Sequence, residues 1–304
     1  MINLLINSFA PVAILILIGY ISAKKSIFSS ENSVAIIKYV GVVAVPALTL
    51  KIILSISISN VNWTLISSYV FSELIIYTTA LFIGKYIFHL KWNEAILIGM
   101  ASSFANHLLF VYPIALNEYN ADLINPIVAI IGFDVIFLVI NLIILDLIKF
   151  QNLKLKNIFI KQFSNLPLLA LILGLAIILL DIEIPVSIER ALEFIANSAA
   201  PCALFAAGII LSQKLEKTEI KISNIIILFK IILHPILLIF IIWSLDNIDF
   251  SLAETTIMVA SAPVGLMALI FSTQYGVNPS AITRALMITT LFSILTVPLA
   301  SMFG

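Results

Sequence analysis

The amino-acid sequence predicts an all-α integral membrane protein of ten transmembrane helices, arranged as two inverted five-helix repeats with broken, crossing fourth and ninth helices. Three observations lead there. Of 304 residues, 62% are hydrophobic and 11% charged, whereas a soluble domain carries about a quarter charged residues to wet its surface, so lipid must be the main solvent. Apolar runs close to the ~20 residues that cross a bilayer recur along the whole chain. Several landmarks repeat at a nearly constant offset.

The first run, 2–21, reads INLLINSFAPVAILILIGYI and is followed, not preceded, by Lys24 and Lys25. A secretory signal has the opposite order, so this segment is expected to be a first span. The others fall near 32–54, 62–88, 94–116, 123–148, 159–180, 188–212, 220–243, 252–274 and 279–303. Only short polar breaks separate them, which leaves no room for an inserted soluble domain.

Alternate breaks differ in charge. One set holds Lys24, Lys25, Lys85, Lys91, Lys149, Lys154, Lys156, Lys161, Lys214, Lys217 and Lys221. The other holds Arg190 with Asp122, Asp181, Glu183, Glu189, Asp246 and Asp249. Cytoplasmic loops are enriched in Lys and Arg, so the chain is expected in the cell (inner) membrane with both termini on the non-cytoplasmic side. Formal net charge is zero, and no global field recruits nucleic acid. Cys202 is the lone cysteine, which excludes an internal disulfide or a multi-thiolate metal site; no metal or cofactor is expected.

The repeat shows in the pairs Pro11 and Pro167, Gly19 and Gly174, Pro46 and Pro201, and Tyr119 and Tyr275, each 155 or 156 residues apart. Residues 1–150 and 151–304 are the expected copies of one transport unit. Five is odd, so the second copy enters the membrane from the opposite face, as in secondary transporters.

Two spans carry residues that hydrocarbon disfavours. The fourth contains ASSFANHLLFVYPIAL, with Asn106 and His107 in mid-run and Pro113 beyond them. The ninth contains VASAPVGLMALIFSTQYG, with Pro263 and Gly265 near its centre. Proline removes a donor and clashes with the carbonyl four residues earlier, so breaks are expected around Leu109 and Pro263. Freed backbone groups must then be satisfied by protein or by a watery hollow, and a hollow at mid-membrane is expected. Two antiparallel broken helices would aim the electropositive N-termini of their second halves at the crossing, a ready carboxylate site. Ser103, Asn106, His107, Phe110, Pro113, Ser261, Pro263 and Gly265 are the candidate substrate-binding residues. A kinked helix with no ligand is the plainer reading of either proline alone.

Ionisable residues inside spans are costly and mark function. Glu73, Asp134 and Lys230 are the candidates for ion coupling, and the first and last are 157 apart. A structural ion pair is the competing reading. Arg284 is expected to snorkel to the interface, and His234, just before Pro235, to satisfy backbone freed by that kink. Serine-lined carbonyls near Ser102, Ser103 and Ser261 leave sodium coupling open beside proton coupling. The chain lacks HExxH and GxSxG and has a single GFD motif at Asp134, so it is not expected to be an enzyme. No filter-like loop suggests a channel.

At these residues the chain resembles the auxin efflux carrier (PIN-like) family, specifically its bacterial members. The likeness rests on Asn106 and Pro113 seven apart, on APVG at 262–265 and QYG at 274–276, on PCALFAAGIIL at 201–211, and on the ten-span layout. Leu108 and Val111 stand where relatives usually have glycine, and Ala268 where plant members have a second proline. The resemblance implies an elevator-type secondary transporter of a small organic anion, a carboxylate such as malate, malonate or an auxin-like acid. It also implies a homodimer. The alternatives are a sodium-coupled organic anion symporter of the bile-acid type, or a non-transporting ligand receptor, against which the lack of an output domain speaks.

Overall fold

The computed structural model describes residues 2–55, 62–150, 157, 160, 162, 165–213, 219–245 and 250–302, with the side chains of 2–9 outside the description. Of the charges that set the expected orientation, Lys154, Lys156, Lys161, Lys214, Lys217, Asp246 and Asp249 lie outside the described residues, as does most of 159–164 at the start of the sixth span.

Among the described residues the chain is helical, with no strand. In order the helices are α1 (Ile2–Lys24), α2 (Ser30–Leu54), α3 (Trp63–Ile87), α4 (Trp92–Ser103), α5 (107–118), α6 (Ala121–Lys149), α7 (Leu166–Leu179), α8 (Val186–Leu211), α9 (Ile220–Ser244), α10 (Phe250–Ala260), α11 (Leu266–Gln274) and α12 (Ser280–Ala300). Six of them, α2, α3, α6, α8, α9 and α12, are long and apolar enough to cross a membrane unaided. The segments expected as fourth and ninth spans are each divided, into α4 with α5 and α10 with α11.

Helix starts are legible in side-chain caps. Ser29 accepts from the Asn32 N–H while Asn32 accepts from the Ser29 N–H, Asn62 accepts from Leu65 and Asn165 from Leu168. Each satisfies a donor that the first turn leaves without an intrahelical partner.

Three prolines, Pro46, Pro113 and Pro235, share one device. Each is the second residue of an α-helical stretch and follows a wider π turn, at Val40–Ala44, His107–Val111 and Leu228–Leu233. In each, the residue before proline donates five residues back: Val45 to Val40, Tyr112 to His107, His234 to Phe229. The wider turn carries the helix past the carbonyl that the ring would strike, so proline is accommodated without severing the span.

The chain forms two compact units. One comprises 1–9, 60–130 and 214–304, the other 10–59 and 131–213. Each draws on both halves of the sequence. In the first unit α3 packs on α4 and α9, α9 on α12, and α10 and α11 on α12. In the second, α2 packs on α7 and α8, and α1 meets α8 at Gly19 and Gly208, where a Cβ on either would run into the other helix's backbone.

Candidate functional site

The site is built on the two interruptions of the first unit. After α4 the chain leaves helical geometry at Phe104, whose φ and ψ are −62° and 126°. After α10 it leaves at 261–265. The two extended stretches meet as an antiparallel β-bridge between Ala105 and Val264. Asn106 N–H donates to the Pro263 carbonyl at 2.8 Å, and Gly265 N–H donates to the Phe104 carbonyl at 3.0 Å. Each break thus supplies the partners that the other needs, which is how polar backbone persists in a buried position.

This corrects two expectations. The fourth span opens at 104–106, not around Leu109, because the π turn at His107–Val111 absorbs Pro113. The freed groups are met chiefly by protein, not by a watery hollow: Ala105, Pro263, Val264 and Gly265 are all buried. At Gly265 a Cβ would lie 3.4 Å from the carbonyl oxygens of both Phe104 and Ala105, so the close approach of the two backbones favours glycine there.

Helix α12 holds the second break in place. Val264 N–H donates to Thr289 Oγ1 at 3.2 Å, and Thr296 and Ser293 donate to the Ser261 carbonyl at 2.9 and 3.4 Å. None of the three was a candidate from sequence. Their positions, 289, 293 and 296, mark one face of a helix at i, i+4, i+7 spacing, a polar stripe in an otherwise apolar span that could have disclosed them.

The ends of the half-helices are treated in opposite ways. The first halves, α4 and α10, finish with the Ser103 and Ala260 carbonyls, and both accept hydrogen bonds from Lys230 Nζ, at 3.2 and 3.1 Å. His234 Nδ1 lies 3.1 Å from the same ammonium and accepts its third proton. Lys230 itself is fully buried. His234 therefore serves Lys230 rather than kinked backbone.

The second halves, α5 and α11, begin at the crossing, and neither N-cap residue, Asn106 or Gly265, caps its helix with a side chain. Their leading N–H groups, at Leu108 and at Leu266 and Met267, have no intrahelical acceptor by geometry, and each end carries about half a positive charge. Asn106, Leu108 and Met267 are partly accessible, whereas their neighbours in the crossing are buried. These three residues lie at the uncapped turns.

The other candidates divide. Ser103 contributes its carbonyl to Lys230, and Ser261 its carbonyl to α12. Their hydroxyls differ: Ser261 donates to Ile257, while Ser103 Oγ and the neighbouring Ser102 Oγ are buried without a hydrogen-bond partner among the described residues. His107 is buried and its Nδ1 sits 3.1 Å from the Ala105 carbonyl, where it donates. Phe110 is buried, and Pro113 is half-buried behind the π turn. Glu73 is buried on α3, which packs on the π turn carrying Lys230. Asp134 is buried on α6 in the second unit. Arg284 is half-buried on α12.

At the far end of α5, Tyr119 donates its hydroxyl to Glu254 of α10. Burial, then Glu254 itself, pushes the phenol far above its ordinary value, so Tyr119 stays protonated and is the donor. Tyr119 closes α5 as Tyr275 closes α11.

A helical, multi-pass membrane protein with paired, uncapped half-helices inside one compact unit is built as membrane transporters are. Comparison with known proteins makes the assignment specific. The model of a family described as membrane transport protein matches residues 4–301, and the chain belongs to that family, the auxin efflux carrier-like transporters. A Rhizobium meliloti (strain 1021) protein named "Putative malonate transporter" is 32% identical over 124 residues, 41% of this chain and 39% of that one. An uncharacterized transporter of Methanocaldococcus jannaschii is 26% identical over 95% of both chains. The mouse lysosomal cholesterol signaling protein is 26% identical over 92% of this chain, which spans 35% of its length.

Proposed function

We propose that this protein is a secondary transporter that moves a small organic anion, a carboxylate of the malonate or malate class, across the cytoplasmic membrane. The observation that carries the reading is the polarity of the crossing. Two uncapped helix N-termini converge beside Asn106, which is partly accessible, while the electronegative C-termini of the partner halves accept hydrogen bonds from Lys230. Fixed N–H donors and positive half-helix ends, set where competing carbonyls are already occupied, favour a carboxylate over a neutral or cationic solute. The match to a relative named for malonate supports the substrate class.

In this reading the chain makes ten spans in two inverted copies. The breaks at 104–106 and 261–265 and the tyrosine caps at 119 and 275 fall at corresponding places in the two halves, which supports that arrangement. The unit that holds the crossing moves as a body against the other, an elevator-type step, in a homodimer. Glu73 is the proton carrier for coupling, because a carboxylate buried against the lysine-bearing turn is placed to feel substrate occupancy.

The test is thermal unfolding of purified protein against mono- and dicarboxylates. A ligand selective for the folded state stabilises it by about 2.7 kcal/mol at a hundredfold excess over Kd. Malonate or malate is expected to raise the midpoint of the wild type by several degrees and that of Asn106→Ala by little, with the unliganded midpoint of the variant near normal. No shift with any carboxylate, or an undiminished shift in Asn106→Ala, would overturn the proposal.

A further inference from the structure

We infer that Lys230 is a built-in counter-cation which occupies a latent alkali-metal site, so that the carrier runs without sodium and removal of the lysine exposes a sodium requirement.

The argument begins with what two helix C-termini do when they converge. The last carbonyls of α4 and α10 have no intrahelical donors, and each end carries about half a negative charge. Side by side and buried, they form an oxygen-lined negative pocket, the environment that hard cations seek. Such a pocket must be filled, because unsatisfied carbonyls away from water are costly. The structure fills it with a side chain. Lys230 Nζ takes the Ser103 carbonyl at 3.2 Å and the Ala260 carbonyl at 3.1 Å, one from each half-helix, and spends its third donor on His234 Nδ1 at 3.1 Å. Two of these acceptors are the main-chain ends of the two half-helices, so the ammonium sits where their partial negative charges converge.

The lysine reaches this place from the π turn Leu228–Leu233, which ends where Pro235 requires it. The cation is therefore covalently part of the unit that carries the crossing. A diffusible ion in the same pocket would have to bind and leave in each cycle, which is how such an ion couples to transport. A tethered one cannot leave, so no gradient of that ion is tapped. In the turn that ends α4, the Ser102 and Ser103 hydroxyls are buried without a hydrogen-bond partner among the described residues. With a short neutral side chain at 230, the Ser103 and Ala260 carbonyls lose their cation, and a small monovalent ion is what would replace it.

The consequence for coupling rests on the anion-carrier reading above; the cation pocket itself does not. Two readouts keep them apart. In the first, thermal midpoints of purified wild type, Lys230→Ser and Lys230→Arg are measured without substrate in sodium, lithium, potassium or choline chloride at equal ionic strength. Wild type and Lys230→Arg are expected to show the same midpoint in sodium and choline. Lys230→Ser is expected to be less stable in choline and to recover by about 3 °C or more in sodium or lithium. In the second, uptake of labelled malonate into proteoliposomes is expected to agree within about twofold between sodium and choline for wild type, and to rise about tenfold or more with sodium for Lys230→Ser.

A wild type stabilised or driven specifically by sodium would overturn the inference, as would a folded Lys230→Ser indifferent to the cation. Should that variant fail to fold, the wild-type comparison alone decides. A protein that takes no carboxylate, yet whose Lys230→Ser midpoint answers to sodium, would lose the carrier reading and keep the cation pocket.

Discussion

Replacing Gly208 with alanine probes the second unit at the contact between α1 and α8. A Cβ at 208 would overlap the Ile16 carbonyl oxygen and come within 2.8 Å of Tyr20 N and 2.9 Å of Ile16 C. Every one of those atoms is backbone, so no rotamer change relieves the clash and the helices must part. Overpacking of this kind costs about 1–3 kcal/mol, and rigid neighbours put it at the upper end. The greater helix propensity of alanine returns about 1 kcal/mol, which leaves a net loss of about 2 kcal/mol. Gly41→Ala is the matched control, since a Cβ there meets nothing within 4 Å and the variant keeps the propensity gain of about 1 kcal/mol. The two variants should thus differ by about 3 kcal/mol, roughly 6–12 °C in apparent midpoint at about 2–4 °C per kcal/mol. Thermal unfolding in detergent, followed by tryptophan fluorescence or circular dichroism, reads the difference. Equal midpoints for the two variants, or a Gly208→Ala midpoint at or above wild type, would refute the close packing of α1 on α8.

Thr289→Val removes the acceptor of the Val264 N–H with little change in shape. A buried donor left unmet costs about 1–3 kcal/mol, so the midpoint should fall by a few degrees and carboxylate binding should weaken, with Thr289→Ser restoring both; unaltered stability would show that α12 does not anchor the break. Glu219, at the start of α9, has its carboxyl held above the ordinary range by burial and by the nearby Glu94. A raised value means that the folded state binds the proton more tightly than the unfolded state, so this group's stabilisation is complete below the unfolded value and is lost as pH rises through the folded one. Glu219→Gln should therefore flatten the decline in midpoint as pH rises above the ordinary glutamate value, and an unchanged slope would remove Glu219 from that decline.

Which features the sequence could disclose follows from the solvent. Lipid demands long apolar runs, so the spans were legible from hydropathy, and α2, α3, α6, α8, α9 and α12 stand where expected. Pro263 marked its break correctly because the proline lies within the extended stretch. Pro113 misled, since a π turn accommodates it and the opening at Phe104–Ala105–Asn106 contains no residue that breaks helices by itself. That opening exists because Val264 and Pro263 offer partners from a segment about 160 residues away, and such pairing leaves no local trace. Lys230 was visible as a buried charge, but its acceptors are main-chain carbonyls, which any residue supplies. The serine and threonine stripe of α12 was present in the letters and needed the neighbouring break to give it meaning. The division into two units was not legible, because each is assembled from both halves of the chain.

The central claim is that the two uncapped half-helix starts hold an anion. Its most direct measurement is an anomalous-scattering map from crystals grown with bromomalonate, in which bromine reports the position of the carboxylate. Two hydrogen-bond lengths and the span of the ligand place the peak within about 6 Å of the Leu108 and Leu266 amide nitrogens. A bromine peak elsewhere, with the crossing left blank, would contradict the account.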